Sequence, residues 1–203
     1  EAAWIMSGDN RVATIAPFSK AISNFSDDGM LFFGAYGPRV RDQLGHVVQA
    51  LVEDQDSRQA VITIWRPNPR KSKDIPCTIS CQFMIRNGFM HCFMNMRSSD
   101  VWLGVPYDWF NFSMLSAGVA LMLREKGVNV KLGSLQFYAA SQHLYEENFH
   151  KVDACLNGEI LGDYEPIDLE YFSSYDHLVD HLWLLAHGRV HNGFLKEMSS
   201  WKG

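Results

Sequence analysis

Arg97-Ser98-Ser99-Asp100-Val101-Trp102-Leu103-Gly104-Val105-Pro106-Tyr107-Asp108 is the stretch on which the reading of this chain turns. It begins as a polar turn. An Arg beside two hydroxyl residues and their backbone N–H groups suits a phosphate dianion, because the guanidinium forks and the amides donate to the same oxygens. Upstream, Thr78 to Arg86 and Phe89 to Met96 read as two strands joined by Asn87-Gly88. That dipeptide is a strong two-residue hairpin signal, since both turn positions need positive φ. Downstream, Trp109 to Glu125 reads as a strongly apolar helix closed by Lys126-Gly127.

Further out the alternation of elements continues. Val40, Leu44, Val47, Val48 and Leu51 fall at helical spacing and predict a helix over 39–54, after a loop-like stretch at 18–38. Residues 1–6 read as the end of an apolar helix, and Ala60 to Trp65 as a β-branched strand. Pro67, Pro69 and the run Arg70-Lys71-Ser72-Lys73 break that strand and read as a solvated loop. Val128 to Tyr138 is a further strand, His143 to Cys155 a helix, and residues 174–186 an amphipathic helix. Strands mixed with helices in this order give an α+β fold with one mainly antiparallel or mixed sheet. No internal repeat or low-complexity linker divides the 203 residues, so one domain over 1–203 is expected.

Composition narrows the class. A formal net charge of −5 gives no global attraction to nucleic acid or to an anionic membrane, so any phosphate must be held by a local cluster. No apolar run reaches the roughly 18 residues a membrane span needs, and Glu1-Ala2-Ala3-Trp4-Ile5-Met6 lacks the basic start of a secretory signal. Cys77, Cys81, Cys92 and Cys155 form no CxxC pair and have no His at zinc spacing, so neither a structural metal nor a disulfide framework is expected. A reducing cytoplasm, the host's if a phage encodes the chain, fits such cysteines.

Two more polar clusters lie at element ends. In Ile75-Pro76-Cys77-Thr78 a thiol opens a strand, at a sheet edge where a nearby Arg could lower its pKa. In Ser141-Gln142-His143-Leu144-Tyr145, His143 and Tyr145 at a helical start could both reach a sugar hydroxyl. Alone, each cluster has a plain structural explanation.

Their order carries more. Glu1-x-x-Trp4 with Gly8-Asp9, Tyr36-Gly37, Asp56-Ser57-Arg58, Pro76-Cys77, Gln82-Phe83, Arg97-Ser98-x-Asp100-Val101-x-Leu103-Gly104-x-Pro106, Gly133-Ser134 and His143-Leu144-Tyr145 follow one another over residues 1–150. In this the chain resembles thymidylate synthase and its relatives, the deoxycytidylate hydroxymethylases. The resemblance implies a three-layer α+β fold whose mixed sheet packs back to back in a homodimer. It implies that Cys77 adds to C6 of a pyrimidine nucleotide, so that C5 takes up a one-carbon unit from the co-substrate 5,10-methylenetetrahydrofolate. Arg97 and Ser98 would hold the 5′-phosphate, with Arg97 favouring the Cys77 thiolate. Arg58 would reach the phosphate in the partner subunit's site. His143 and Tyr145 would bind the sugar hydroxyl, Asp100 would meet the pterin, Glu1 would manage proton transfers, and Tyr36 would stand near the thiol.

Departures from the synthase pattern point to a branch. Asp108 stands where synthases have Asn. A carboxyl group accepts from the N4 amino group of cytosine and, if protonated or assisted by water, donates to N3, whereas it is repelled by O4 of uracil. Thr78 replaces the His that usually follows the nucleophile, and Ala139-Ala140-Ser141 replaces Gly-Gly-Asp. All three agree with a hydroxymethylase acting on a cytidylate, with Asp108 as a catalytic and base-reading residue. The alternatives are thymidylate synthase acting on deoxyuridylate, a deoxyuridylate hydroxymethylase, and a non-catalytic nucleotide-binding relative. Residues 156–203 do not resemble the synthase ending, whose closure keeps water out. Gln59 replaces a second Arg, and the family's phosphate-clamping loop would precede Glu1. The choice between ribose and deoxyribose, and so between nucleoside-antibiotic and phage DNA pathways, stays open.

Overall fold

The computed structural model describes residues 1–158 and 167–189. Its sheet has the order β1-β2-β3-β5, with β1 Val61–Thr63, β2 Thr78–Arg86, β3 Phe89–Met96 and β5 Lys131–Ala139. The first two pairings are antiparallel and β3 runs parallel to β5, so the sheet is mixed. Asn87 and Gly88 take φ of 54° and 77°, the doubly left-handed turn that the hairpin needs.

One face of the sheet carries the core: Cys81, Phe83 and Ile85 of β2 and Met90, Cys92, Met94 and Met96 of β3 are buried in alternation. The helices α3 Tyr36–Glu53 and α4 Val105–Glu125 lie over this face, α1 Ala2–Met6 packs on both of them, and α6 Tyr175–Ala186 packs on α1 and α4. Being surrounded in this way, α4 buries residues on almost every side, including Leu115, Ala117, Val119, Ala120 and Leu123. It closes as the sequence predicts: Gly127 takes φ 83°, its N–H donates to Arg124 O (2.9 Å), and Val128 N–H donates to Leu123 O (3.0 Å). The other face of the sheet is uncovered in the single chain, with Phe89 and Tyr138 exposed.

Several boundaries differ from the sequence reading. The 39–54 helix starts earlier, at Tyr36, because Pro38 is tolerated in a first helical turn, where its missing N–H has no partner to lose. The 109–125 helix likewise starts at Val105, with Pro106 in its first turn. The stretch 18–38 is less irregular than expected, holding a 3-10 turn at Lys20–Phe25, and α2 Val12–Ile15 precedes it. The largest correction concerns 143–155. Gln142–His143 is a strand, β6, paired in parallel with β4 Ser99–Asp100; a 3-10 turn follows, and helix α5 occupies Phe149–Leu156. Pairing with the preceding polar turn overrode local helical preference there. Part of the 156–203 segment packs on the body: Tyr175 Oη donates to Met6 O (2.7 Å) and Trp183 Nε1 to Ser7 Oγ (2.9 Å).

Candidate active site

The site lies at one end of the sheet, where β2 begins and β3 and β5 end. Arg97 N–H donates to Cys77 O (2.9 Å), continuing the β2–β3 ladder by one step and setting the two residues side by side. Ala140 N–H donates to Met96 O (3.0 Å), so the chains leaving β3 and β5 depart together. They then form the β4–β6 ladder, in which Asp100 pairs with His143, and Ser99 N–H and Val101 N–H donate to Ser141 O and His143 O, both at 2.8 Å. The phosphate-type turn and the His143–Tyr145 stretch are thereby brought together. The His143 ring meets Tyr145 edge to face at 5.2 Å.

Arg97 braces the chain in front of the thiol. Its Nε donates to Pro76 O (2.9 Å) and its Nη2 to Ile75 O (3.0 Å), while Nη2 stands 3.8 Å from Cys77 Sγ. Its guanidinium also lies 5.8 Å from the Trp65 ring centre. Arg97 favours the Cys77 thiolate as expected, but burial outweighs it. Half-burial pushes the Cys77 thiol above its usual range; Arg97 pulls it down, while the charges of Asp108 and Asp74 push it up. Changing Arg97 to Ala should therefore move the pH profile of Cys77 alkylation to higher pH. It should also weaken binding of a nucleotide phosphate about 10- to 100-fold, as loss of a charge-assisted bond implies. Isotope-resolved peptide mapping and nucleotide titration check the two effects.

Tyr36, in the first turn of α3, faces the same place. Its hydroxyl oxygen accepts from Thr78 N–H (3.1 Å), leaving the phenolic proton to donate. Burial, with the charges of Asp108 and Cys77 adding to it, holds that phenol well above the usual tyrosine range, so it stays protonated. Asp108 sits in the first turn of α4. Burial pushes its carboxyl up to about 7, and the Glu1 charge adds to the shift. Glu1, Tyr36, Cys77, Arg97 and Asp108 therefore share one electrostatic neighbourhood although their sequence positions are far apart.

Two assigned residues stand differently. Asp100 Oδ1 accepts from Trp102 N–H (2.7 Å) and Leu103 N–H (3.0 Å), so one carboxylate oxygen shapes the turn. Arg58 is exposed, its carbonyl accepting from Gln82 Nε2 (2.7 Å) on the uncovered side of the sheet, and no hydrogen bond or ion pair among the described residues joins it to Cys77. Ser98 is half-buried between Arg97 and β4. Sequence reasoning missed Asp74 and Trp65; the one signal for Asp74 was its place three residues before Cys77. No group of three or more His, Cys, Asp or Glu among the described residues could hold a metal ion, and no described helix is long and apolar enough to cross a membrane.

Known proteins resemble this arrangement. The chain is 34% identical over 162 residues to a deoxyuridylate hydroxymethyltransferase of Pseudomonas phage M6, covering 75% of this chain and 45% of that protein. A deoxyuridylate hydroxymethyltransferase of Bacillus phage SP01 is 29% identical over 168 residues, covering 73% and 43%. The chain thus spans less than half the length of these curated relatives. In fold it matches thymidylate synthase from T4 phage, with TM-score 0.69 at 22% identity over 97% of this chain and 77% of that one. Thymidylate synthase A from Bacillus subtilis gives TM-score 0.71 at 22% identity, over 89% and 68%. The thymidylate synthase family pattern itself matches residues 17–171, most of the chain and most of the site just described. This chain belongs to the thymidylate synthase family, whose members are folate-dependent one-carbon transferases.

Proposed function

We propose that the protein is a pyrimidine nucleotide 5-hydroxymethylase that prefers a cytidylate. The observation that carries this reading is the half-buried Asp108 carboxyl beside Tyr36, Cys77 and Glu1. A nucleotide 5′-phosphate at Arg97 and Ser98, and its sugar at His143 and Tyr145, would bring the base toward Cys77 and its outer edge toward Asp108. Cys77 Sγ bonds to C6 of the base; its proton leaves to a neighbouring base or water, and the electron pair of the C5–C6 bond becomes nucleophilic at C5. Tyr36 donates a hydrogen bond in the same space, and Glu1 handles proton transfers near the base. The Asp100 carboxylate suits the paired N–H donors of a pterin, so the residues present fit the family's folate. When bound, 5,10-methylenetetrahydrofolate supplies a one-carbon unit at the oxidation level of formaldehyde. Loss of the C5 proton to a neighbouring base and departure of tetrahydrofolate, followed by addition of water at the transferred carbon and departure of the thiol, would leave a hydroxymethyl group.

A second reading, deoxyuridylate as substrate, draws on the names of the two phage relatives. A protonated Asp108 could serve it, accepting from N3–H through its carbonyl oxygen and donating its proton to O4. With N3 met through an ordered water, the ionised carboxylate facing the 4-position discriminates, accepting from the cytosine amino group and repelling O4 of uracil. Partnership with a second copy across the uncovered sheet face, with Arg58 extending to the partner's phosphate, belongs to the same proposal, as does a cytoplasmic location for a chain with four free thiols. The test is incubation with dCMP, CMP or dUMP and labelled 5,10-methylenetetrahydrofolate. Hydroxymethylated cytidylate with tetrahydrofolate is expected. A methylated base with dihydrofolate would overturn the hydroxymethylase reading, and a hydroxymethylated uridylate alone would select the second substrate.

A further inference from the structure

The run Arg70-Lys71-Ser72-Lys73-Asp74, read from sequence as a solvated loop, is buckled to the segment that leads into α3. Asp27 receives Ser72 Oγ–H at Oδ2 (2.7 Å) and Lys73 N–H at Oδ1 (3.0 Å). In the opposite sense, Asp74 Oδ2 receives Gly34 N–H (2.6 Å). Two residues further along α3's entry, Tyr36 Oη receives Thr78 N–H. The cross-links advance together, 27 to 72–73, 34 to 74 and 36 to 78, with Cys77 inside the last interval. Glycine is required at 34: a Cβ there would lie 2.6 Å from Asp74 O and 2.8 Å from Asp74 Oδ1. Arg70 adds to the clasp by lying 4.7 Å from the Phe33 ring centre. The geometry points to Asp74 as a positioning residue for the Cys77 thiol, acting through its bond to Gly34 N–H and through its charge.

The charged or titratable groups that act on this thiol come from four elements: Arg97 after β3, Asp108 on α4, Tyr36 on α3 and Asp74 on its own loop. Arg97 favours the thiolate; Asp74 and Asp108 oppose it. Asp74 itself is half-buried, and that burial holds its carboxyl above the ordinary value while the Gly34 bond counteracts this. Its position thus sets both where the sulfur lies and how readily it ionises.

The inference rests on Cys77 being the reactive thiol, and its test separates the two. In Asp74→Asn the amide oxygen can still receive Gly34 N–H but the charge is gone; in Asp74→Ala both are lost. Alkylation of Cys77 by iodoacetamide is followed against pH by mass spectrometry, with exposed Cys155 as internal standard. Both variants should shift the Cys77 profile to lower pH and leave Cys155 unchanged. Covalent capture by a 5-fluoropyrimidine nucleotide should fall about tenfold in Asp74→Ala and be restored in Asp74→Asn, in line with loss of one buried hydrogen bond. An unmoved Cys77 profile in Asp74→Asn overturns the charge role even if Asp74→Ala does not fold. Equal capture by both variants and the parent overturns the positional role. Failure of the parent chain to capture any nucleotide would strike the proposed function and leave the alkylation comparison standing.

Discussion

Cys77→Ser is expected to remove covalent capture of a 5-fluoropyrimidine nucleotide completely and to lower turnover by at least about a thousandfold. A serine hydroxyl fills the same space, but without a strong activating base it is a far weaker nucleophile than a thiolate toward C6. The fold should survive: Cys77 is half-buried at the start of β2, and its backbone bond to Arg97 N–H does not involve the side chain. Denatured-protein mass spectrometry shows the adduct or its absence, and thermal melting checks folding. Turnover of the serine variant at the parent's rate would remove Cys77 from the chemistry.

Asp108→Asn should shift selectivity toward uridylate by about 10- to 100-fold, the equivalent of roughly 1–3 kcal/mol for one base-edge mismatch. The parent's selectivity should itself depend on pH. The Asp108 carboxyl is pushed up to about 7, so below that pH it is neutral and can match either base. As pH rises through about 7 it ionises, repels O4 of uracil and still accepts from the cytosine amino group. The ratio of kcat/KM for cytidylate over uridylate should therefore climb across this range in the parent and stay flat in Asp108→Asn, because an amide does not titrate. Competition assays at a series of pH values give both numbers. A flat ratio in the parent would sever base choice from this carboxyl.

Much of the fold was legible because its signals were local. Asn87-Gly88 marked a hairpin turn between two strands, and the apolar run before Lys126-Gly127 marked a helix. The failures were where distant pairing decides. His143 was read as the start of a helix, yet the turn at Ser99–Asp100 supplied a strand for it to pair with. The site was legible as an ordered set of motifs, and the geometry joins Glu1, Tyr36, Cys77, Arg97 and Asp108 electrostatically. It could not be read from sequence that burial outweighs Arg97 at the thiol, since that depends on how many neighbours crowd a half-open position. Nor could Asp74 be recognised, because a carboxylate next to Arg70-Lys71-Ser72-Lys73 looks like ordinary surface charge until Gly34 is seen beside it.

The pairing of β3 with β5 has a consequence for how the chain comes to work at all. The two strands run parallel, so the whole of α4 must be threaded between them before their ladder closes. The Arg97 turn and His143 come together only at the far end of that ladder. Partly formed molecules therefore own every reactive side chain but no cleft, and they expose a bare β3 edge in the meantime. Such non-local closure makes for slow maturation and leaves newly made chains prone to stick to one another. Yield at low temperature and low concentration should accordingly exceed yield from rapid, warm synthesis.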